Sequence, residues 1–418
     1  MSVAVVALAA ALGGCDEPVG DTGGGGTCED PAAAFVAGAS TTASPAPIPA
    51  TRTPGALHTA GQALVGADDA PVRLTGVTWS GFETDRFAPH GLWARSLRSM
   101  FDQMKRLGYN LVRLPFSDEL LASGGAAPPA GAIDYDKNPD LFGLAGVDLL
   151  DAVAAAAGER DIRVLLVRAG PRAVLESGRE SAACADDAAG WYSARVPEQR
   201  LVDDWQAIAR RLRARPAVIG AELSAPPLGV SWGDGAAATD WRAAAERIGD
   251  AVLDEAPEWL IVVPVGAWLA AGDDPHAAWY AGDLRPTKRT PVRLRVPDQL
   301  VWAVHEPPPS LLPGADWFAS PSYPDNLEAH WYRSWGFVVQ NGEYPVIVTT
   351  LTPRLDGEAD RAFIDTFLPY LSRYAVSFVV ASWNGDLDGG VLLDDWEGVR
   401  EPLQAVVGPW LAGAGAAP

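Results

Sequence analysis

From about Leu57 onward, short runs of β-branched and aliphatic residues alternate with longer segments in which apolar residues return every three or four positions. The short runs suit strands buried on both faces, and the longer ones carry the apolar stripe of a helix. The pattern predicts strands at Val72–Val77, Asn110–Leu114, Ile162–Val167, Val218–Leu223, Trp259–Val265, Leu300–Val304, Val346–Thr349 and Val376–Ala381. Between them it predicts helices such as Ser96–Leu107, Leu144–Ala157, Leu201–Ala214 and Trp241–Glu255. Such alternation builds a parallel sheet of the α/β class, and this number of strands closes one into a (β/α)8 (TIM) barrel. No unit repeats at solenoid length, which argues against a propeller or repeat array.

Ahead of this alternation the pattern changes. Met1 to Gly14 is almost wholly small and apolar, too short to span a bilayer at roughly 20 residues per helix, and reads as the core of an export signal without the usual positive start. Leu12-Gly13-Gly14-Cys15 has the form of a bacterial lipobox, which would put a lipid on Cys15 and anchor the exported protein to a cell-envelope membrane. A plain secretory signal is the alternative, and either predicts export. Asp16 follows, at a position that influences inner-membrane retention in some bacterial lipoproteins. Residues 16–56, rich in Gly, Pro, Ser and Thr, cannot bury enough apolar surface to fold and are expected to be a tether. Residues 57–412 are expected to form the barrel. Beyond Cys15 only Cys28 and Cys184 remain, either as a disulfide or as two free thiols.

The 32 basic and 53 acidic residues leave a net charge of −21, which repels phosphate backbones and makes nucleic acid a poor partner. An apolar fraction of 48% supplies a large core, and 16 Trp exceed what a core needs, which hints at a sugar-binding surface. No cofactor is expected. Asp394 and Asp395 read as a solvated turn rather than as metal ligands.

In a barrel of this kind chemistry sits at the carboxyl ends of the strands. The first strand ends in Thr75-Gly76-Val77-Thr78-Trp79-Ser80-Gly81-Phe82-Glu83-Thr84, followed by His90-Gly91-Leu92-Trp93-Ala94-Arg95 and then Leu107-Gly108-Tyr109-Asn110-Leu111-Val112-Arg113-Leu114-Pro115. Further blocks are Asn138-Pro139-Asp140-Leu141, Asp240-Trp241-Arg242 to Glu246-Arg247, and Ser382-Trp383-Asn384 to Asp394-Asp395-Trp396. In this order and at these strand ends, over about residues 60–410, the chain resembles the endoglucanases of glycoside hydrolase family 5.

The resemblance implies a retaining hydrolase with one Glu after the fourth strand as acid and base and another after the seventh as nucleophile, their carboxyls roughly 5 Å apart. Here the sequence departs from the family. In Gly220-Ala221-Glu222-Leu223-Ser224-Ala225-Pro226-Pro227, Pro226 stands at the acid/base position, and proline has nothing to titrate. In Thr349-Thr350-Leu351-Thr352, Thr350 stands at the nucleophile position with no base evident beside it. Ala169, Ala225 and Pro307 replace the family's supporting His, Asn and Tyr, and Pro307-Pro308-Pro309 stiffens that loop. Arg113, His305 and Trp383 match positions that orient the nucleophile or floor a sugar subsite, and Trp93 matches an outer aromatic platform.

The resemblance therefore implies a catalytically degenerate barrel that binds a β-linked polysaccharide or oligosaccharide through Trp93, Arg113, His305 and Trp383, or scaffolds a protein partner. For the two Trp and for His305, structural packing is the competing expectation. Without a nucleophile to hold, Arg113 must pair elsewhere, with Glu222 or Glu306 the nearest acids. Two alternatives stay open: a β-glycan hydrolase with relocated carboxylates among Glu222, Glu306 and Glu343, and an envelope protein that binds no sugar.

Overall fold

The computed structural model describes residue 53 and residues 55–171, 173–174, 190–193, 196–266 and 281–412. The export signal, Cys15, Cys28, Cys184 and nearly all of the expected tether lie outside the described residues.

The fold opens on a small antiparallel sheet of β1 (Leu57–Ala60), β2 (Ala63–Gly66) and β3 (Pro71–Val72), in which Leu57 faces Gly66 and Leu64 faces Val72. Eight parallel strands follow: β4 (Thr75–Thr78), β5 (Leu111–Ser117), β6 (Arg163–Gly170), β7 (Val218–Glu222), β8 (Leu260–Pro264), β9 (Leu300–Glu306), β10 (Val346–Leu351) and β11 (Ser377–Ala381). They close into a barrel because β11 pairs with both β10 and β4, Phe378 opposite Thr75 and Ala381 opposite Thr78. The expected (β/α)8 architecture is what the chain adopts.

The expected strand Val72–Val77 proves to be the end of one sheet and the start of another. The chain turns from β3 into the barrel at Arg73, whose Nε and Nη1 donate to the carbonyls of Val376 and Trp410, while the Leu74 amide donates to Ser377 Oγ. Those bonds fasten the turn to β11 and the C-terminal segment, contacts that a local apolar pattern does not record. Four strands also run further than expected, to Ser117, Gly170, Glu306 and Leu351.

Alternation along each strand sorts side chains into two layers. Leu74, Leu111, Leu165, Ile219, Leu260, Val301, Ile347 and Val379 fill the barrel. Val77, Val112, Val164, Ile261, Trp302, Val348 and Phe378 face the surrounding helices. At Gly220 the interior has no room for a methyl group, since a Cβ there would lie 2.2 Å from the Leu260 carbonyl oxygen. The helices are set by caps and anchors. Leu97–Leu107 is capped by Ser96, whose Oγ accepts from the Ser99 amide, and ends at Gly108 with φ 99°, the left-handed conformation glycine tolerates. Trp241–Glu255 is capped by Asp240, and Trp241 Nε1 ties it to the Pro264 carbonyl at the end of β8, 2.7 Å away.

The chain enters from the opposite end. The Thr53 amide and hydroxyl both donate to Glu258, just ahead of β8, and Gly55 lies against Pro216, ahead of β7. The segment leading into the barrel is thus fixed to its N-terminal face.

Candidate functional site at the barrel mouth

The inward positions at the carboxyl ends of the strands turn from aliphatic to polar. Arg113, inward on β5 two residues above Leu111, reaches past β6 to Glu222, the last residue of β7. Its Nε and Nη2 donate to the two carboxylate oxygens at 2.6 and 2.8 Å, a bidentate pair. Glu222 is fully buried and Arg113 nearly so. Two charges out of water demand such geometry, because a lone buried ion would cost several kcal/mol. Of the two acids expected for Arg113, the structure selects Glu222.

His305, inward on β9, and Thr350, near the end of β10, come together with Nε2 and Oγ1 3.2 Å apart. The expectation that Thr350 has no base beside it is thereby corrected, for the register that places Thr350 opposite His305 is invisible in the linear sequence. The base is a weak one. Burial, reinforced by the Arg113 charge, lowers the His305 pKa to about 3, so the imidazole stays neutral and has little affinity for a hydroxyl proton.

Glu306 lies on the other side of the strand. With His305 facing in, period-two alternation turns Glu306 out into the helix layer, where Trp335 Nε1 donates to its Oε1 at 2.6 Å. Burial holds its pKa well above the usual carboxylate range, against the Trp335 hydrogen bond. Glu343 is exposed in the segment preceding β10, at the N-terminal end of the barrel. Neither acid reaches the mouth, and of the three candidates for a relocated carboxylate only Glu222 does, already bound to Arg113.

Pro226 is buried four residues beyond Glu222, and Ala225 donates its amide to the Arg168 carbonyl at 2.6 Å. Arg168 belongs to a second buried pair, donating to Asp118 just past β5, with Nη2 2.5 Å from Oδ2. Other acids of the strand-end loops are engaged too: Asp386 with His90 Nδ1 at 2.8 Å, and Asp388 with Arg354 Nη2 at 2.7 Å. Among the described residues no cluster of His, Cys, Asp and Glu could hold a metal ion, and Asp395 caps its own turn by accepting from the Glu397 and Gly398 amides.

The two tryptophans part company. Trp383 has no exposed surface; it packs edge-on to Tyr109, and its Nε1 finds no acceptor among the described residues. As arranged it offers no face to a sugar, so the expectation of a stacking floor there is not met. Ala381, inward at the end of β11 and partly exposed, faces the opening instead. Trp93 is partly exposed, with the Arg86 guanidinium 4.4 Å from its ring centroid and Trp396 edge-on at 5.2 Å.

Residues 65–387 match the model of Cellulase (glycosyl hydrolase family 5). The chain belongs to glycoside hydrolase family 5. It is 36% identical over 364 residues to an endoglucanase of Paenibacillus polymyxa, covering 85% of this chain and 86% of that one. It is also 35% identical over 342 residues to the major extracellular endoglucanase of Xanthomonas campestris, covering 79% of this chain and 66% of that protein. Among solved structures, the catalytic domain of that Xanthomonas enzyme superposes with a TM-score of 0.72 at 32% identity, over 85% of this chain and 99% of the other. A cellotetraose complex of an endocellulase from Pyrococcus horikoshii superposes with a TM-score of 0.74 at 29% identity, over 86% of this chain and 100% of the other.

Proposed function

We propose that this family 5 barrel is a non-hydrolytic, envelope-anchored protein that binds a β-linked glucan at its mouth, exported on its N-terminal signal and held by a lipid on Cys15. One observation carries the reading: Arg113 is closed onto Glu222 in a buried bidentate pair, and the sequence resemblance aligns Pro226 and Thr350 with the family's two carboxylates. Retaining hydrolysis requires an acid that protonates the leaving oxygen and a carboxylate that attacks the anomeric carbon. The mouth supplies a proline, a threonine and an imidazole too weakly basic to activate that threonine. Sugar contact falls to Trp93, whose indole offers apolar area and a polarised face, with His305 beside the opening.

The names of the relatives favour a second reading, hydrolysis of a β-glycan, for which Glu222 is the carboxylate within reach. Calorimetric titration of the purified protein with cello-oligosaccharides, run beside a sensitive reducing-sugar assay, separates the two. Binding without release of reducing ends is the expected result. Turnover that Glu222→Gln abolishes would establish the hydrolase. Neither binding nor turnover would leave a scaffold for a protein partner, or a purely structural envelope role.

A further inference from the structure

Beside the helix Leu97–Leu107 lies an open surface groove of about 600 Å³, lined in part by Arg95, Ser96, Ser99, Arg106, Lys137 and Glu397. The chain as a whole carries a charge of −21, yet this lining sets three cations against one acid. Its volume falls within the roughly 300–1,000 Å³ typical of small-molecule sites.

Arg95 distinguishes the groove from a chance meeting of surface charges. Its Nε donates to Ser99 Oγ at 3.2 Å, Nη1 to the Trp396 carbonyl at 2.7 Å and to Gln103 Oε1, and Nη2 to the Ser99 carbonyl at 2.9 Å. All four acceptors are neutral, so the guanidinium is held rigidly without a carboxylate bonded to it, and Asp395 and Glu397 act on it only through space. A guanidinium has five N–H donors, and here one Nη2 hydrogen is left without an acceptor among the described residues. Around this fixed donor stand two exposed cations. Arg106 is exposed in the last turn of the helix, and Lys137, which meets Asp134 at 2.7 Å, also reaches the Trp93 carbonyl at 3.4 Å.

We propose that this groove binds the carboxylate-bearing sugar of an acidic oligosaccharide. The Arg95 edge and the Arg106 guanidinium supply planar donors to a carboxylate, and the Lys137 ammonium, which Asp134 also holds at 2.7 Å, supplies a point charge. Glu397 accepts from ring hydroxyls, and the same acid repels a bare inorganic anion, so the arrangement suits a sugar acid better than a free phosphate. The site stands apart from the barrel mouth and does not depend on what binds there.

The test is calorimetric titration of the intact protein with oligogalacturonate, with a neutral cello-oligosaccharide of equal length, and with inorganic phosphate. Oligogalacturonate should bind with an affinity that falls as salt is raised. The double variant Arg106→Glu and Lys137→Glu, both exposed and expected to melt like the parent, should weaken that binding about tenfold or more. Any binding of the neutral oligosaccharide should be untouched by Arg106→Glu alone, since the mouth does not use Arg106, and that arm reports on the mouth. Three outcomes would overturn the proposal: no binding of oligogalacturonate, binding that the double variant leaves unchanged, or displacement by an equal concentration of phosphate.

Discussion

The wall of this barrel and its mouth obey different physical rules. Between Leu74 and Val379 the interior is filled by aliphatic side chains whose only demand is volume, and the requirement is tight enough that Gly220 has no room for a methyl group. Just above, at Arg113, Glu222 and His305, the residues must satisfy charge and hydrogen bonding as well as space. The packing of the wall depends on no group at the mouth. The mouth in turn does not tolerate an unpaired charge. A guanidinium buried there needs a carboxylate, and Arg113 has Glu222.

Breaking that pair should produce the largest effect. Glu222→Ala leaves a guanidinium buried without a counter-ion, and about 3–5 kcal/mol of stability should be lost in urea unfolding. Replacing both partners, Arg113→Met with Glu222→Leu, should cost far less, and a double-mutant cycle showing simple additivity would refute the account of the pair as a coupled unit. A comparable loss on the wall side is expected from Trp383→Ala, about 3–5 kcal/mol from the cavity left beside Tyr109, with cello-oligosaccharide affinity unchanged in the folded fraction. If affinity collapsed there instead, the buried indole would have to open toward the ligand.

The next effect depends on pH. His305 has a folded pKa of about 3 against an ordinary value near 6.5, so the unfolded chain binds a proton in that interval and the folded one does not. Its contribution is complete above pH 6.5 and is lost as the pH falls toward 3. His305→Gln should flatten the decline in melting temperature between pH 6.5 and 4, by on the order of 2 kcal/mol. At the mouth's rim, Trp93→Ala should weaken cello-oligosaccharide binding about tenfold with little change in melting temperature.

The smallest effect belongs to Asp204, in the helix layer near the Arg168–Asp118 pair. Burial is the main cause raising its pKa to about 6, with the charge of Asp118 adding to it against the Arg200 hydrogen bond. A raised carboxyl pKa has the opposite sign: its contribution is complete below the unfolded value and is lost as the pH rises through 6. Asp204→Asn should remove that decline, worth about 1 kcal/mol, as read by melting at pH 5 and pH 7.

Much of this contrast could be read from the chain. Alternating strands and helices announced the barrel, and the blocks at the strand ends announced the family. Period-two alternation already implies that His305 and Glu306 face opposite ways, so only one of the two can belong to the mouth. Other features depend on distant partners. The choice of Glu222 by Arg113 is made across β6, and the meeting of Thr350 with His305 depends on strand register. Trp383 misled because an indole beside a strand end looks the same whether it floors a cleft or fills the layer behind it.

The attachment of Thr53 to Glu258 has a consequence for orientation. The described chain starts at the base of the barrel, on the face opposite the opening. A ligand at the mouth and anything joined at the foot therefore meet opposite faces, and neither need displace the other.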